Sequence, residues 1–203
     1  MSEPRLFPAT LMPDEDWWRS LWPDPDGLVR ALHIEPGMTA VDLACGDGYF
    51  TAAIARRIAP AEVTGVDLEP AMLERARAAC RGLPNCRWLL GGAMELSRSV
   101  RTPVDYVLLA NTLHGAADKP ALSRQVAAAV KPGGRFGIVN WRPLPRETTT
   151  VLGQPRGPLT GLRMSPEETQ AAVEPAGFTL EAQLPLPPYH YAMIFRRNEV
   201  RPR

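Results

Sequence analysis

The residues best suited to chemistry fall in two short runs, Val41-Asp42-Leu43-Ala44-Cys45-Gly46-Asp47-Gly48 and Gly65-Val66-Asp67-Leu68-Glu69-Pro70. Ala44, Gly46 and Gly48 are small enough for the backbone to turn sharply and for a ligand to come close to the peptide atoms. Asp67 follows Gly48 by 19 residues, a separation at which an acid ending the second strand of an α/β unit can take both hydroxyls of a ribose. A dinucleotide site would want G-x-G-x-x-G, but the third place here holds Thr51. Asp42 and Asp47 also bring two carboxylates to the place a pyrophosphate would occupy. Negative charge there repels phosphate and suits a cationic ligand carrying an ammonium and a sulfonium. Cys45 sits between these acids and reads as a small packing residue of the turn, because neighbouring carboxylates disfavour a thiolate.

Elements must hold these residues in place, and the pattern supplies them. Positions 39–43 form a short apolar run of strand formers, and Gly46 to Gly48 open a helix through about 58 with apolar Phe50, Ile54 and Ile58. Residues 62–67 repeat the strand, and Pro70 starts a second helix at the position where its missing N–H costs nothing. Further strands are expected over 86–90, 104–110 and 136–141, with a helix over 118–130 stopped by Pro132-Gly133-Gly134. Before the first strand, a helix over 26–32 ends near Glu35-Pro36-Gly37, and a proline-rich arm carries Trp17, Trp18 and Trp22. Ser165-Pro166-Glu167-Glu168 is a capping box that starts a helix to about 176, stopped by Gly177. Two strands, 178–184 and 190–196, then flank a turn over 185–189. Alternation of this kind gives an α/β fold with a doubly wound, mainly parallel sheet.

Composition bounds the reading. With 203 residues, 45% of them hydrophobic, the chain is the size of one ordinary domain. It divides into an N-terminal arm and helix (1–35), a core (36–141), an irregular segment (142–164) and a C-terminal helix with a strand pair (165–197). Basic and acidic residues number 23 and 22, a net charge of +1, so the broad field that coats nucleic acid or an anionic membrane is missing. No apolar run approaches the roughly 20 residues of a membrane span, and the N-terminus has no apolar signal core. The expectation is a soluble, cytoplasmic protein with neither nucleic acid nor membrane as partner. Cys45, Cys80 and Cys86 make an odd number without a C-x-x-C pair, which suggests reduced thiols and no metal site.

Taken together, VDLACGDG, GVDLEP, YVLLANTLH and the Val130-Lys131-Pro132-Gly133-Gly134-Arg135-Phe136 run occur in the order and spacing of the class I S-adenosylmethionine-dependent methyltransferases, which the chain resembles over about residues 37–141. The resemblance is strongest to the small-molecule group with a D-x-A-C-G-x-G turn. It implies a Rossmann-like seven-stranded sheet with an antiparallel last strand, S-adenosylmethionine as cofactor and S-adenosylhomocysteine as product. By resemblance, Asp42 and the Ala44–Cys45–Gly46–Asp47–Gly48 turn hold the methionine end of the cofactor, together with Asn111 after the fourth strand. Asp67 holds the ribose, and Leu68 and Met72 the adenine face, with Ala93 and Met94 nearby. Many relatives end the third strand with Gly-Asp-Ala, whereas this chain reads Gly91-Gly92-Ala93-Met94; adenine is then read by backbone atoms or by Glu95.

Ligands of a doubly wound sheet lie beyond the carboxyl ends of its parallel strands. In the arrangement the resemblance implies, the turn between the last two strands returns to that end. Tyr189, His190 and Tyr191 then border the acceptor, with His114, Trp141 and Arg142. Trp17, Trp18 and the 142–164 segment are natural covers. His114 and His190 are the candidate bases, since imidazole titrates near neutrality. Arg142, Arg146, Arg156 and Arg163 could bind an anionic substrate, although arginines on a loop are more often solvated.

The expected activity is methyl transfer to a small-molecule acceptor by direct in-line displacement. Alternatives are a non-catalytic cofactor- or nucleotide-binding regulator on the same fold and, less favoured, a nicotinamide-dependent oxidoreductase. An arsenic-methylating role would require several convergent thiolates, which three scattered cysteines do not offer. The tryptophan arm could close over its own pocket or lie across that of a second copy, so a homodimer stays open.

Overall fold

The structure is a computed structural model that describes residues 15–199; the expected arm before residue 15 lies outside the described residues. In chain order the elements are α1 (Glu15–Leu21), α2 (Pro25–Ala31), β1 (Ala40–Leu43), α3 (Tyr49–Ile58), β2 (Val63–Asp67), α4 (Pro70–Ala79), β3 (Cys86–Leu90), α5 (Leu96–Ser99), β4 (Val104–Ala110), α6 (Lys119–Ala129), β5 (Val130–Trp141), β6 (Thr150–Val151), β7 (Gln154–Pro155), α7 (Pro166–Val173), β8 (Phe178–Leu186) and β9 (His190–Arg197).

Seven strands form one sheet in the order β3-β2-β1-β4-β5-β9-β8. β1 pairs in parallel with β2 and β4, β2 with β3, and β4 with β5. β9 runs antiparallel to both β5 and β8. The strand order reverses beside β1, so the crevice outside β1 and β4 is where such a sheet takes a ligand.

Period-two alternation divides the interior into two layers. Val41, Leu43, Val107, Leu109, Phe136, Ile138, Tyr191 and Met193 face one way and pack with Leu122, Val126 and Val173 of α6 and α7. Ala40, Tyr106, Leu108, Val139, Trp141 and Ala192 face the other way and pack with α1, α2 and α3 through Trp18, Trp22, Val29, Phe50 and Ile54. β1 is buried along its whole length, as a central strand covered on both faces must be.

Local chemistry sets the helix ends. Asp24 accepts from the Gly27 N–H at the start of α2, and Asp118 accepts from the Ala121 N–H (2.8 Å) at the start of α6. Ser165 and Glu168 complete the expected capping box (3.2 and 2.7 Å), and Gly177 follows in the left-handed region at φ 94°.

Two expectations need correction. The chain does not pause at Pro132-Gly133-Gly134: β5 begins at Val130 and runs through these residues, and the interruption is taken up as a shift in register between the Val104 and Tyr106 pairings. The 142–164 segment is not irregular throughout. It holds the β6–β7 hairpin around Leu152 and Gly153, both at positive φ, and short 3-10 turns at Arg146–Thr148 and Thr160–Leu162.

Candidate functional site

At the carboxyl end of β1 the chain turns through Ala44 (φ 58°), Gly46 (φ 54°) and Gly48 (φ 82°) before α3 starts at Tyr49. Gly48 is needed twice over. Its backbone is left-handed, and a Cβ there would lie 2.9 Å from Cα and Cβ of Ala76 in α4, so glycine lets α3 and α4 meet behind the turn. Ala44 holds a positive φ without that freedom, a strain of the kind that persists where surrounding structure fixes it.

Asp67, at the end of β2, fastens this turn. The Gly46 N–H donates to its Oδ2 (2.8 Å) and the Glu69 N–H to its Oδ1 (3.0 Å), leaving further lone pairs on both oxygens for a ligand hydroxyl. Asp42 lies deeper, 2% exposed, and accepts from Thr51 Oγ1 at 2.5 Å. Burial, opposed by the Thr51 hydrogen bond and reinforced by the charges of Asp67 and Asp47, raises its pKa to about 7. Three carboxylates thus surround one turn, an environment that favours a cation. The Cys45 thiol is buried, and burial followed by the charges of Asp42 and Asp67 pushes its pKa far upward, which keeps it protonated as a packing residue would be.

Around the turn, Leu68 and Met94 are exposed apolar side chains, Met72 is half-buried on the first turn of α4, and Ala93 is buried. Asn111 follows β4 at φ 57°, its N–H donating to the Val139 carbonyl (2.7 Å). Both polar atoms of its side chain are buried without a hydrogen-bond partner. A buried, unsatisfied amide costs free energy unless a ligand or water completes it.

A second group lies at the ends of β5 and β9. Trp141 and His190 are paired across these strands and point to the same face, their ring centroids 4.2 Å apart. Trp22 also approaches His190, at 4.6 Å, and Tyr189 stacks on Trp141 at 6.2 Å. The Tyr189 hydroxyl donates to the Thr150 carbonyl (2.8 Å), which ties the turn after β8 to the hairpin. His190 Nε2 and both ring nitrogens of His114 are buried without hydrogen-bond partners. Burial first, then the charges of Lys119 and Arg163, lowers His114 to about 4. Burial, then the charges of Arg163 and His114, holds His190 well below its ordinary 6.5. Both imidazoles are therefore neutral at neutral pH.

The structure does not bring every expected acceptor residue to this group. Tyr191 points to the opposite face of β9, where its hydroxyl meets Thr169 (2.7 Å) and the carbonyls of Met164 and Ser165. Arg142 is exposed and engaged through its backbone, its N–H donating to the Tyr189 carbonyl (2.8 Å). Trp17 and Trp18 are packed into the layer with Phe50, and Arg156 lies over Trp17 at 5.2 Å, joining α1 to the 142–164 segment. Of Trp17, Trp18 and Trp22, the one that meets His190 is Trp22.

Arg163, read from sequence among solvated loop arginines, is 6% exposed and lies over Trp141 at 5.1 Å. Thr51 as the partner of Asp42 was also not anticipated, although Thr three positions after Gly48 places it on the first turn of α3, facing the end of β1. Two open concavities of about 390 and 270 Å³ lie at the opposite end of the sheet, by the start of β5 and β8 and the end of β9. Their charged side chains pair with one another, as Lys131 does with Asp105 (2.7 Å), and none of the residues above reaches them.

Residues 40–134 match the family of the methyltransferase domain. A stretch of 108 residues, 53% of this chain, is 30% identical to demethylmenaquinone methyltransferase of Staphylococcus aureus (strain JH9) and covers 44% of that protein. The chain thus spans less than half the length of the relatives it matches in sequence. In structure it is similar to a SAM-dependent methyltransferase from Aquifex aeolicus, with a TM-score of 0.73 at 19% identity over 85% of this chain and 89% of the other. It is also similar to the cyclase SpnF, with a TM-score of 0.68 at 18% identity over 86% and 82% of the two chains. The chain has the fold of the class I S-adenosylmethionine-dependent methyltransferases, and its central residues match the methyltransferase-domain family. No helix among the described residues is long and apolar enough to cross a membrane.

Proposed function

We propose that this protein is an S-adenosylmethionine-dependent methyltransferase acting on a small molecule. One observation carries the reading: the acid-lined Ala44–Gly48 turn, Asp67 and the unpartnered Asn111 amide converge at the carboxyl ends of β1, β2 and β4. The residues fit the cofactor. Asp42 and Asp47 suit its cationic methionine end, the remaining lone pairs of Asp67 suit the ribose hydroxyls, exposed Leu68 and Met94 offer an apolar face for adenine with Met72 and Ala93, and Asn111 supplies the donor and acceptor that its own surroundings leave unmet.

When bound, the cofactor supplies an electrophilic methyl group to a nucleophile in line with it. The chain's contribution is to position the acceptor and exclude water, and orientation of this kind can supply about 7–11 kcal/mol of the barrier. Trp22 just after α1, Tyr189 from the last turn and the 142–164 segment enclose His190, which is 1% exposed. His190 Nε2 is the natural place for an acceptor hydroxyl and its proton, with His114 beside it. Trp141 and Tyr189 form the wall of that chamber, and Trp17 and Trp18 hold its cover.

The protein is read as working in the cytoplasm on a small molecule without nucleic acid, alone or as a homodimer. A second reading is a protein of this fold that binds the cofactor without transferring its methyl group, since fold and motif speak for binding more directly than for catalysis; methyl transfer to any acceptor sinks it. Calorimetric titration with S-adenosylmethionine, S-adenosylhomocysteine and NADH tests the cofactor. Micromolar binding of the adenosyl ligands is expected, weakened about tenfold or more in Asp67→Ala by the lost ribose hydrogen bonds. Binding of NADH alone would end the methyltransferase reading, and unchanged affinity in the variant would remove Asp67 from the ribose site.

A further inference from the structure

Arg163 is a buried cation without a counter-charge. Its Nε donates to the Pro158 carbonyl (3.1 Å) and its Nη2 to Thr149 Oγ1 (2.9 Å) and the Arg156 carbonyl (3.1 Å), all neutral acceptors. Its Nη1 is buried with no partner. Among the described residues no ion pair reaches it. The charges felt most at this guanidinium are Arg146, of the same sign, and Glu147, an exposed side chain. Removing a cation from water without an anion is unfavourable, and native proteins almost always provide one.

Donors are in excess around it as well. The Trp22 Nε1–H and Arg163 Nη1 are buried and unsatisfied, while each neutral imidazole of His114 and His190 brings one N–H and one bare nitrogen and so leaves that surplus unchanged. A set of unmet donors with a fixed positive charge calls for a ligand rich in acceptors and negative. The Trp141 ring lies beside that cation at 5.1 Å and continues into the rings of His190 and Trp22, 4.2 and 4.6 Å apart in succession, which favours a flat, unsaturated body next to the anionic group.

From this cluster we infer that Arg163 receives the carboxylate of the methyl acceptor, and that the acceptors of this site are aromatic acids. The inference rests on the methyltransferase reading and names the class of its substrate. Arg163 is a binding residue here, beside the histidines that face the reacting group.

The test uses matched probes on the full chain: benzoate against benzamide, 4-hydroxybenzoate against 4-hydroxybenzamide, and indole-3-acetate against indole-3-acetamide, titrated by calorimetry with and without saturating S-adenosylhomocysteine. The acids are expected to bind about tenfold more tightly than their amides, as a charge-assisted pair gives. That preference should vanish in Arg163→Gln and return in part in Arg163→Lys. Acids and amides binding alike, neither binding, or a preference that survives Arg163→Gln would each overturn the assignment. Should Arg163→Gln fail to fold, the wild-type pairs and Arg163→Lys decide. Failure to bind S-adenosylhomocysteine counts against the methyltransferase reading alone, because the preference for acids is still read without it.

Discussion

At the scale of single residues, Asp42 shows what the proposed cation site requires of a protein that must also fold without its ligand. Its carboxyl is 2% exposed and its pKa is raised to about 7 by burial, despite the Thr51 hydroxyl that stabilises the anion. Relative to an unfolded aspartate near 3.8, ionising this group above pH 7 costs the fold roughly 4 kcal/mol. An amide of the same shape avoids that cost and keeps an oxygen for the Thr51 hydroxyl. Asp42→Asn is therefore expected to raise the melting temperature at pH 8, to change it little or lower it near pH 4, and to weaken S-adenosylmethionine binding. Thermal melts at the two pH values check the first part and calorimetry the second; a variant no more stable at pH 8 would mean that water reaches Asp42. Asp67, by contrast, sits at the strand end, where two backbone N–H groups donate to it.

At the scale of elements, the site depends on two helices meeting behind one glycine. A methyl group at position 48 would face backbone and Cβ of Ala76 at 2.9 Å in a left-handed conformation, and neither neighbour is a flexible side-chain end. Gly48→Ala should destabilise the protein by about 1–3 kcal/mol and reduce cofactor affinity beyond what the stability loss explains, since the turn must move to admit it. Urea unfolding with calorimetry on the folded variant measures both, and a wild-type unfolding midpoint would show that α3 and α4 are not locked together there.

The elements around this turn were legible for specific reasons. Pro70, the Ser165 capping box and the left-handed Gly177 mark helix ends by chemistry confined to a few residues, and the β3 and β4 bounds follow from apolar runs broken only by Arg87 and Asp105. The hairpin within 142–164 was not legible: each strand is two residues long, and Leu152-Gly153 lacks the Asn or Asp that usually marks such a turn. The cofactor end of the candidate site lies in contiguous motifs, whereas the acceptor end joins residues 22, 141, 163 and 190, which only the tertiary fold brings together. That is why Arg163 read as solvated, and why Trp17 and Trp18 read as more exposed to the ligand than Trp22. Alternation along β9 separates His190 from Tyr191, a distinction that period two contains once the face of one of them is known.

On the scale of the whole molecule, three buried titratable groups give stability an uncommon dependence on pH. His114 is held near 4 and His190 well below 6.5, so between those limits the unfolded chain binds two protons that the folded chain refuses. Stability contributed by these imidazoles is complete above about pH 6.5 and is lost as pH falls toward 4. Asp42 acts in the opposite sense, for its raised pKa means that the folded chain keeps a proton the unfolded chain has released, and stability falls as pH rises from 3.8 through about 7. Below about pH 6.5 the two histidines oppose the one acid, and stability should climb as the pH rises toward 6.5. From these three groups a maximum follows near pH 6.5, with a shallow decline beyond it. Denaturant unfolding from pH 4.5 to 8 measures the profile, and His114→Gln should flatten the acid limb by one proton while leaving the alkaline side unchanged. A profile level from pH 4.5 to 6.5 would show that the chamber around His114 and His190 is open to water, and with that the case for an enclosed acceptor site would fall.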